Sequence, residues 1–76
     1  MMNPDKLEEY LLQKAYDAHN HGSLFSPKEP ISFDELRAAA NGLRDRGLAS
    51  VSTPGGSVRI DLTDAGKREA LRNRST

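Results

Sequence analysis

Apolar positions near the start of the chain recur with the spacing of an α-helix. Leu7, Leu11 and Ala15 lie at i, i+4 and i+8, so they fall on one side of a helix that packs inward. Asn3 is a good N-cap residue, and Pro4 suits the first helical position. The pattern predicts an amphipathic first helix that begins at once.

The helix is expected to stop at Gly22, which can adopt the left-handed conformation that often closes a helix. Residues 23–30 then read as a connector, in which Leu24 and Phe25 are apolar anchors. Residues 26–29 have the spacing of a capping box and predict a single helical turn.

The second helix has the clearest boundaries. Ser32 and Glu35 form a capping box, and apolar residues then follow the helical period from Leu36 onward. Gly47 closes the element, so we predict a helix over residues 33–46.

After Gly47 the apolar period changes from that of a helix to that of a strand. Residues 49–52 and 58–62 alternate apolar and polar side chains, and the Pro-Gly-Gly sequence between them is typical of a turn. A last helix is expected to be capped by Thr63 and to pack Ala70 and Leu71 inward. The pattern predicts an α+β domain over residues 1–76: helix, short turn, helix, antiparallel hairpin, helix.

Composition narrows the class of protein. The chain has 76 residues, 36% of them apolar, which suffices for one small core. It has no cysteine, so disulfides and thiolate metal sites are excluded. No apolar run reaches the length of a membrane span, and no signal peptide is evident. We therefore expect a cytoplasmic protein without a cofactor, a membrane partner or a small-molecule substrate.

Charge is balanced overall but polarised along the chain. Residues 1–35 carry three basic and seven acidic side chains, a net charge of −4, and residues 36–76 carry eight basic and four acidic ones, a net charge of +4. Zero net charge argues against nucleic-acid binding by bulk electrostatics. The asymmetry would still allow one face to dock on a polyanion, although ordinary solvated surfaces show it too.

The outward side of the second helix offers candidate DNA contacts. At about 100° per residue, four residues lie on or beside that side: Arg37, Ala38, Asn41 and Arg44. Arginine can pair bidentately with guanine and asparagine with adenine, and a small alanine permits close approach to the groove. The alternative is a solvated face whose arginines pair with nearby acids. Asp34 and Asp45 on the same face would also repel phosphates.

Further candidate contacts follow in the hairpin and the last helix. Gly55 exposes backbone N–H groups at the turn, and Arg59 is expected on the outward face of the hairpin. Lys67 and Arg68 begin a basic run that could contact phosphates. The alternative is a basic helix end that complements its own dipole.

Catalytic interpretations have little support in the sequence. His19 and His21 lie at a predicted helix end with no cysteine nearby, which favours a capping role over a metal site. Four aromatic residues are expected in the core or at its edge: Tyr10, Tyr16, Phe25 and Phe33. We expect a binding protein and not an enzyme.

Two segments together resemble the winged helix-turn-helix regulators of bacteria and phages. Their recognition helix ends in Leu, three polar residues, Gly, Leu, and a two-stranded wing then leads to a Leu-Thr-x-x-Gly-Lys helix start. The residues of this chain that match are Leu43, Gly47, Leu48, Leu62, Thr63, Gly66 and Lys67. The organisation is also similar to small YjcQ-type winged-helix proteins, a likeness that implies fold and no activity.

The resemblance implies a DNA-binding protein that reads the major groove of double-stranded DNA with the helix over residues 33–46. One departure is that the full positioning helix of the family is replaced by the short turn before Pro30. The alternative function is a protein-interaction module on the same scaffold, or a homodimer.

Overall fold

The computed structural model describes residues 4–28 and 31–74 and has the α+β class that the sequence predicts. Three α-helices and three β-strands follow along the described ranges: α1 Pro4–Asp17, β1 Gly22–Phe25, α2 Phe33–Asp45, β2 Ala49–Ser52, β3 Val58–Leu62 and α3 Asp64–Arg74. Short 3₁₀ turns cover His19–His21 and Pro54–Gly56. Within these ranges, no helix combines the length and the apolar character that crossing a membrane requires.

The strands form one antiparallel sheet in the order β1-β3-β2. The predicted hairpin is confirmed, with Ala49 opposite Leu62 and Ser52 opposite Arg59. The sheet has a third strand that the sequence analysis missed, because Gly22 to Phe25 pair with β3 where a connector was expected. β3 is therefore the central strand.

The end of α1 differs from the prediction that Gly22 closes it in the left-handed region. Gly22 is extended, and Asn20 and His21 take positive φ values of 58° and 54° instead. Gly22 belongs to β1, where a Cβ would lie 2.0 Å from Oδ1 of Asp61. An added Cβ would therefore require the Asp61 carboxylate, the end of a flexible side chain, to move. The predicted cap by histidine is confirmed at His21, whose Nδ1 lies 2.8 Å from the carbonyl oxygen of Tyr16.

The single helical turn predicted over residues 26–29 is absent from the part of it that is described. Ser26 and Pro27 belong to no regular element, and Lys28 forms an isolated bridge with Ile31, whose N–H donates to the Lys28 carbonyl at 2.8 Å. The Lys28–Ile31 bridge thus stands where part of the helical turn was expected. Residues 29 and 30, and the predicted N-cap Asn3, lie outside the described residues.

The core lies between the helices and the inner face of the sheet. Its largest fully buried side chains are Leu11, Leu12, Leu43, Val58 and Ile60. Tyr16, Phe25 and Phe33 pack at its edge as expected. Among the described residues, no buried side-chain nitrogen or oxygen is without a hydrogen-bond partner.

Two apolar side chains expected inside point outward. Leu71 is 49% exposed and Tyr10 is 44% exposed. α3 meets the core through the small residues Gly66 and Ala70, both buried, and Leu71 is turned about 100° away from Ala70. Close helix packing through small residues leaves the larger neighbour at the surface.

The start of α3 is fixed to the end of α2. Thr63 caps the helix by accepting the Gly66 N–H at 3.1 Å, and its hydroxyl donates to the Gly47 carbonyl at 2.7 Å. Its own N–H donates to the Leu48 carbonyl at 3.0 Å. A Cβ on Gly66 would lie 1.9 Å from that same carbonyl oxygen, so only glycine allows the helix to approach this closely.

Candidate nucleic-acid interface

Both ends of α2 are fixed by the signals read in the sequence. The Ser32 hydroxyl accepts the Glu35 N–H at 3.1 Å, and the Glu35 carboxylate accepts the Ser32 N–H at 3.2 Å, which completes the capping box. At the other end, Gly47 is left-handed with φ 75°. Its N–H donates to the Arg44 carbonyl and the Leu48 N–H to the Leu43 carbonyl, both at 2.9 Å. This pair is a Schellman motif, so α2 is a well-defined rod.

One side of α2 packs and the other remains open. Leu36, Ala39, Ala40 and Leu43 are buried. On the opposite side Ala38 is exposed, the Arg37 and Arg44 side chains are 52% and 53% exposed, and Asn41 is half-buried. The four residues predicted to contact DNA bases therefore share one accessible surface, which we call the α2 stripe: Arg37, Ala38, Asn41 and Arg44.

Carboxylates accompany both arginines of the α2 stripe. Arg37 lies 3.7 Å from Asp34 and over the ring of Phe33, 5.8 Å from its centroid. Arg44 lies 3.4 Å from Asp45. The pairing with nearby acids, foreseen as the alternative, thus occurs. Ion pairs this exposed are worth about 0–1 kcal/mol each, so they hold the guanidinium groups only weakly.

The hairpin carries two of the candidate contacts, Gly55 and Arg59. Gly55 is exposed at the turn with φ 55°, and the Ser57 N–H donates to the Pro54 carbonyl to close that turn. Arg59 is exposed on the outer face of the sheet, as expected, and both ends of its guanidinium contact the Asp61 carboxylate at 3.1 Å. A bidentate partner on the same strand occupies the donors that a phosphate would use.

The basic side chains of α3 differ in how they are paired. Lys67 lies 3.7 Å from Asp64, Arg72 pairs with Glu69, and Arg74 pairs with Asp17 on α1. Arg68 is exposed and forms no ion pair with another described residue. Of the predicted phosphate contacts in this helix, Arg68 is the more available.

Arg46 has a role that the sequence did not reveal. Its guanidinium joins Glu8 of α1 at 3.1 Å and Glu69 of α3 at 3.4 Å. The two carboxylates are only 17% and 15% exposed. Arg46 thus ties three helices together, a long-range contact for which the sequence carries no local signal.

The predicted contacts do not all face the same way. A Cβ on Gly42 would lie 2.5 Å from Oε2 of Glu8, so α1 packs against that side of α2, the side that Arg46 also reaches. Gly42 and Arg46 are each two residues from Arg44, which puts them roughly opposite it around the helix axis at about 100° per residue. The α2 stripe and the basic side chains of α3 therefore lie on different sides of α2.

In residues 4–28 and 31–74, no three His, Cys, Asp or Glu side chains are grouped as a metal site. His21 stacks on the Tyr16 ring with centroids 4.7 Å apart.

Comparison of the chain with family models, with curated proteins and with solved structures gives no match in any of the three.

Proposed function

We propose that this protein is a winged-helix DNA-binding protein, a small regulator or accessory protein that acts in the cytoplasm and reads the major groove of duplex DNA with α2. The proposal makes it a binding protein and not an enzyme. The observation that carries it is the open α2 stripe, which holds two guanidinium groups, an amide and a small residue on an uncovered helix face. The resemblance of residues 31–70 to winged helix-turn-helix regulators supports the same reading.

The chemistry of the α2 stripe suits base edges. Arg37 and Arg44 each present a planar fork that matches the two acceptors of guanine, and the amide of Asn41 matches adenine. Ala38 adds almost no bulk between them, so the helix backbone can approach the groove floor. A 13-residue helix is about 20 Å long, and a B-DNA major groove about 12 Å wide accepts a helix along part of that length.

Magnitudes favour base contacts over the intramolecular ion pairs. Freeing Arg37 from Asp34, or Arg44 from Asp45, costs about 0–1 kcal/mol because both pairs are exposed. A good bidentate contact to guanine contributes about 1–3 kcal/mol of discrimination. Asp34 and Asp45 still offset the arginine charges on this face. We therefore expect modest affinity that depends strongly on base sequence.

The test is a titration of the ¹⁵N-labelled protein with mixed-sequence duplex DNA at low salt. We expect shifts in the amides of residues 32–46, with smaller ones in 53–60 around the hairpin turn. Arg37→Gln and Arg44→Gln should each weaken binding by about 1–3 kcal/mol and relax the base preference at one position of the site. Arg72→Gln, on α3, is the matched control and should leave both the affinity and the base preference unchanged. The absence of amide shifts in residues 32–46 at any DNA concentration would refute the proposal.

The second candidate is a protein-interaction module on the same scaffold. It is favoured by Leu24, which is 53% exposed on β1, a strand at the edge of the sheet. An edge strand with an apolar side chain can pair with a strand of another chain. Analytical ultracentrifugation separates the possibilities for self-association: a dimer that Leu24→Ser converts to a monomer would support this candidate, and a monomer at all concentrations would leave only other proteins as partners.

A further inference from the structure

A cleft lies where α3 approaches the end of α2. Its volume is about 390 Å³, and five residues line it: Leu48, Ala65, Arg68, Glu69 and Arg72. Leu48 and Ala65 supply an apolar floor, and the three charged side chains surround it. The floor exists because the Schellman motif places Leu48 under α3, where Gly66 allows close approach.

The charges of the cleft do not cancel. Glu69 is 15% exposed and is already engaged by Arg46 at 3.4 Å and by Arg72. Arg68 has no ion pair with any residue in the described ranges. The carboxylate in the cleft is therefore neutralised by other cations, and the guanidinium of Arg68 keeps its donors for a ligand.

We propose that this cleft binds a small organic oxyanion, a phosphate or carboxylate group held by Arg68 with its apolar part against Leu48 and Ala65. A guanidinium group presents a fork of donors that matches both kinds of oxyanion. Arg72, four residues on and 73% exposed, stands at the same rim and can contribute a second donor.

The site is independent of the DNA-binding proposal. The α2 stripe faces away from α1 and from the side that Arg46 reaches, whereas the cleft lies on the Arg46 side, next to Glu69. A ligand in the cleft and a duplex on the α2 stripe would thus contact different surfaces. Either proposal can fail without the other.

The experiment titrates the ¹⁵N-labelled full chain with phenyl phosphate, and in parallel with benzoate and inorganic phosphate, at constant ionic strength. We expect saturable shifts in residue 48 and residues 65–72, with none in 34–45. The two aromatic probes show which oxyanion is preferred, and weaker binding of inorganic phosphate would measure the contribution of the apolar floor.

Two variants are expected to change the Kd in opposite directions. Arg68→Gln should raise the Kd for phenyl phosphate about tenfold, the loss expected for a charge-assisted hydrogen bond at a partly exposed site. Glu69→Gln should lower it, because the carboxylate no longer holds Arg72 and this arginine can turn to the ligand. Arg37→Gln on the α2 stripe is the matched control and should have no effect.

Three results would overturn the proposal. The first is an unchanged Kd in Arg68→Gln whose amide spectrum shows a folded protein. The second is shifts that sodium chloride reproduces at equal ionic strength. The third is displacement of phenyl phosphate by duplex DNA, which would make the cleft part of a DNA contact surface. Arg68→Lys keeps the positive charge but lacks the planar fork of guanidinium donors. Its Kd for phenyl phosphate therefore tests the role of Arg68 if the glutamine variant does not fold.

Discussion

Gly66→Ala is expected to destabilise the protein although alanine is the better helix former. The added Cβ would lie 1.9 Å from the Leu48 carbonyl oxygen and 2.9 Å from its carbon, and ordinary contact begins at 3.4 Å. The atoms must therefore separate by about 1.5 Å. Both belong to the backbone, so no side-chain rotation can relieve the contact.

The magnitude follows from three terms. Overpacking a close contact costs about 1–3 kcal/mol. The shift also weakens the bond from the Thr63 N–H to the Leu48 carbonyl, 3.0 Å long, which adds about 1 kcal/mol. The helix propensity of alanine returns up to about 1 kcal/mol. We expect a net loss of about 2 kcal/mol in the free energy of unfolding, or a fall in Tm of about 8–16 °C for a domain of this size.

The assay is urea unfolding followed by far-UV circular dichroism, with the m-value compared between variants. Gly42→Ala is the matched control, because it makes the same change inside a helix but its Cβ would meet only the far end of the Glu8 side chain, at 2.5 Å from Oε2. That carboxylate can move, so the control should stay within about 1 kcal/mol of the parent protein. A Gly66→Ala variant as stable as the parent would refute the close approach of α3 to Leu48.

Three further substitutions test the contacts that hold α2 and the ends of the helices in place. Ser32→Ala removes one half of the capping box and should cost about 1 kcal/mol, measured as a lower Tm. Gly47→Ala should cost about 1–2 kcal/mol in urea unfolding from the left-handed φ of 75° alone, since nothing lies within 4 Å of the new Cβ; Gly47→Asn should recover part of it. Arg46→Met removes the cation between two mostly buried carboxylates and should cost about 1–2 kcal/mol, less at about 0.5 M NaCl; an equal loss at both salt concentrations would argue against charge repulsion as the cause.

Local signals explain which elements could be predicted from the sequence. The capping box at Ser32, the glycine at position 47 and the two alternating segments each act within a few residues, and each marks the element expected. β1 could not be recognised in the same way. It has four residues, of which Leu24 and Phe25 are adjacent and both apolar, so its alternation appears only once β3 is known to lie beside it.

The candidate site could be predicted from the sequence to about the same extent as the fold. The period of α2 placed Arg37, Ala38 and Arg44 on an exposed face, because that face follows from the buried one. The sequence did not determine which groups those side chains contact, and it gave no sign of the cleft beside Arg68. Both depend on how distant segments approach each other, which periodicity does not encode.

The central position of β3 has a consequence for how the chain acquires its structure. Among the described residues, β1 and β2 have no ladder with each other; each pairs with β3, which follows both of them along the chain. Gly22 must await a partner at Asp61, so a nascent or cleaved chain that stops short of residue 58 can assemble helices but no sheet. Folding should therefore be a single cooperative event that is completed only after β3 has been synthesised.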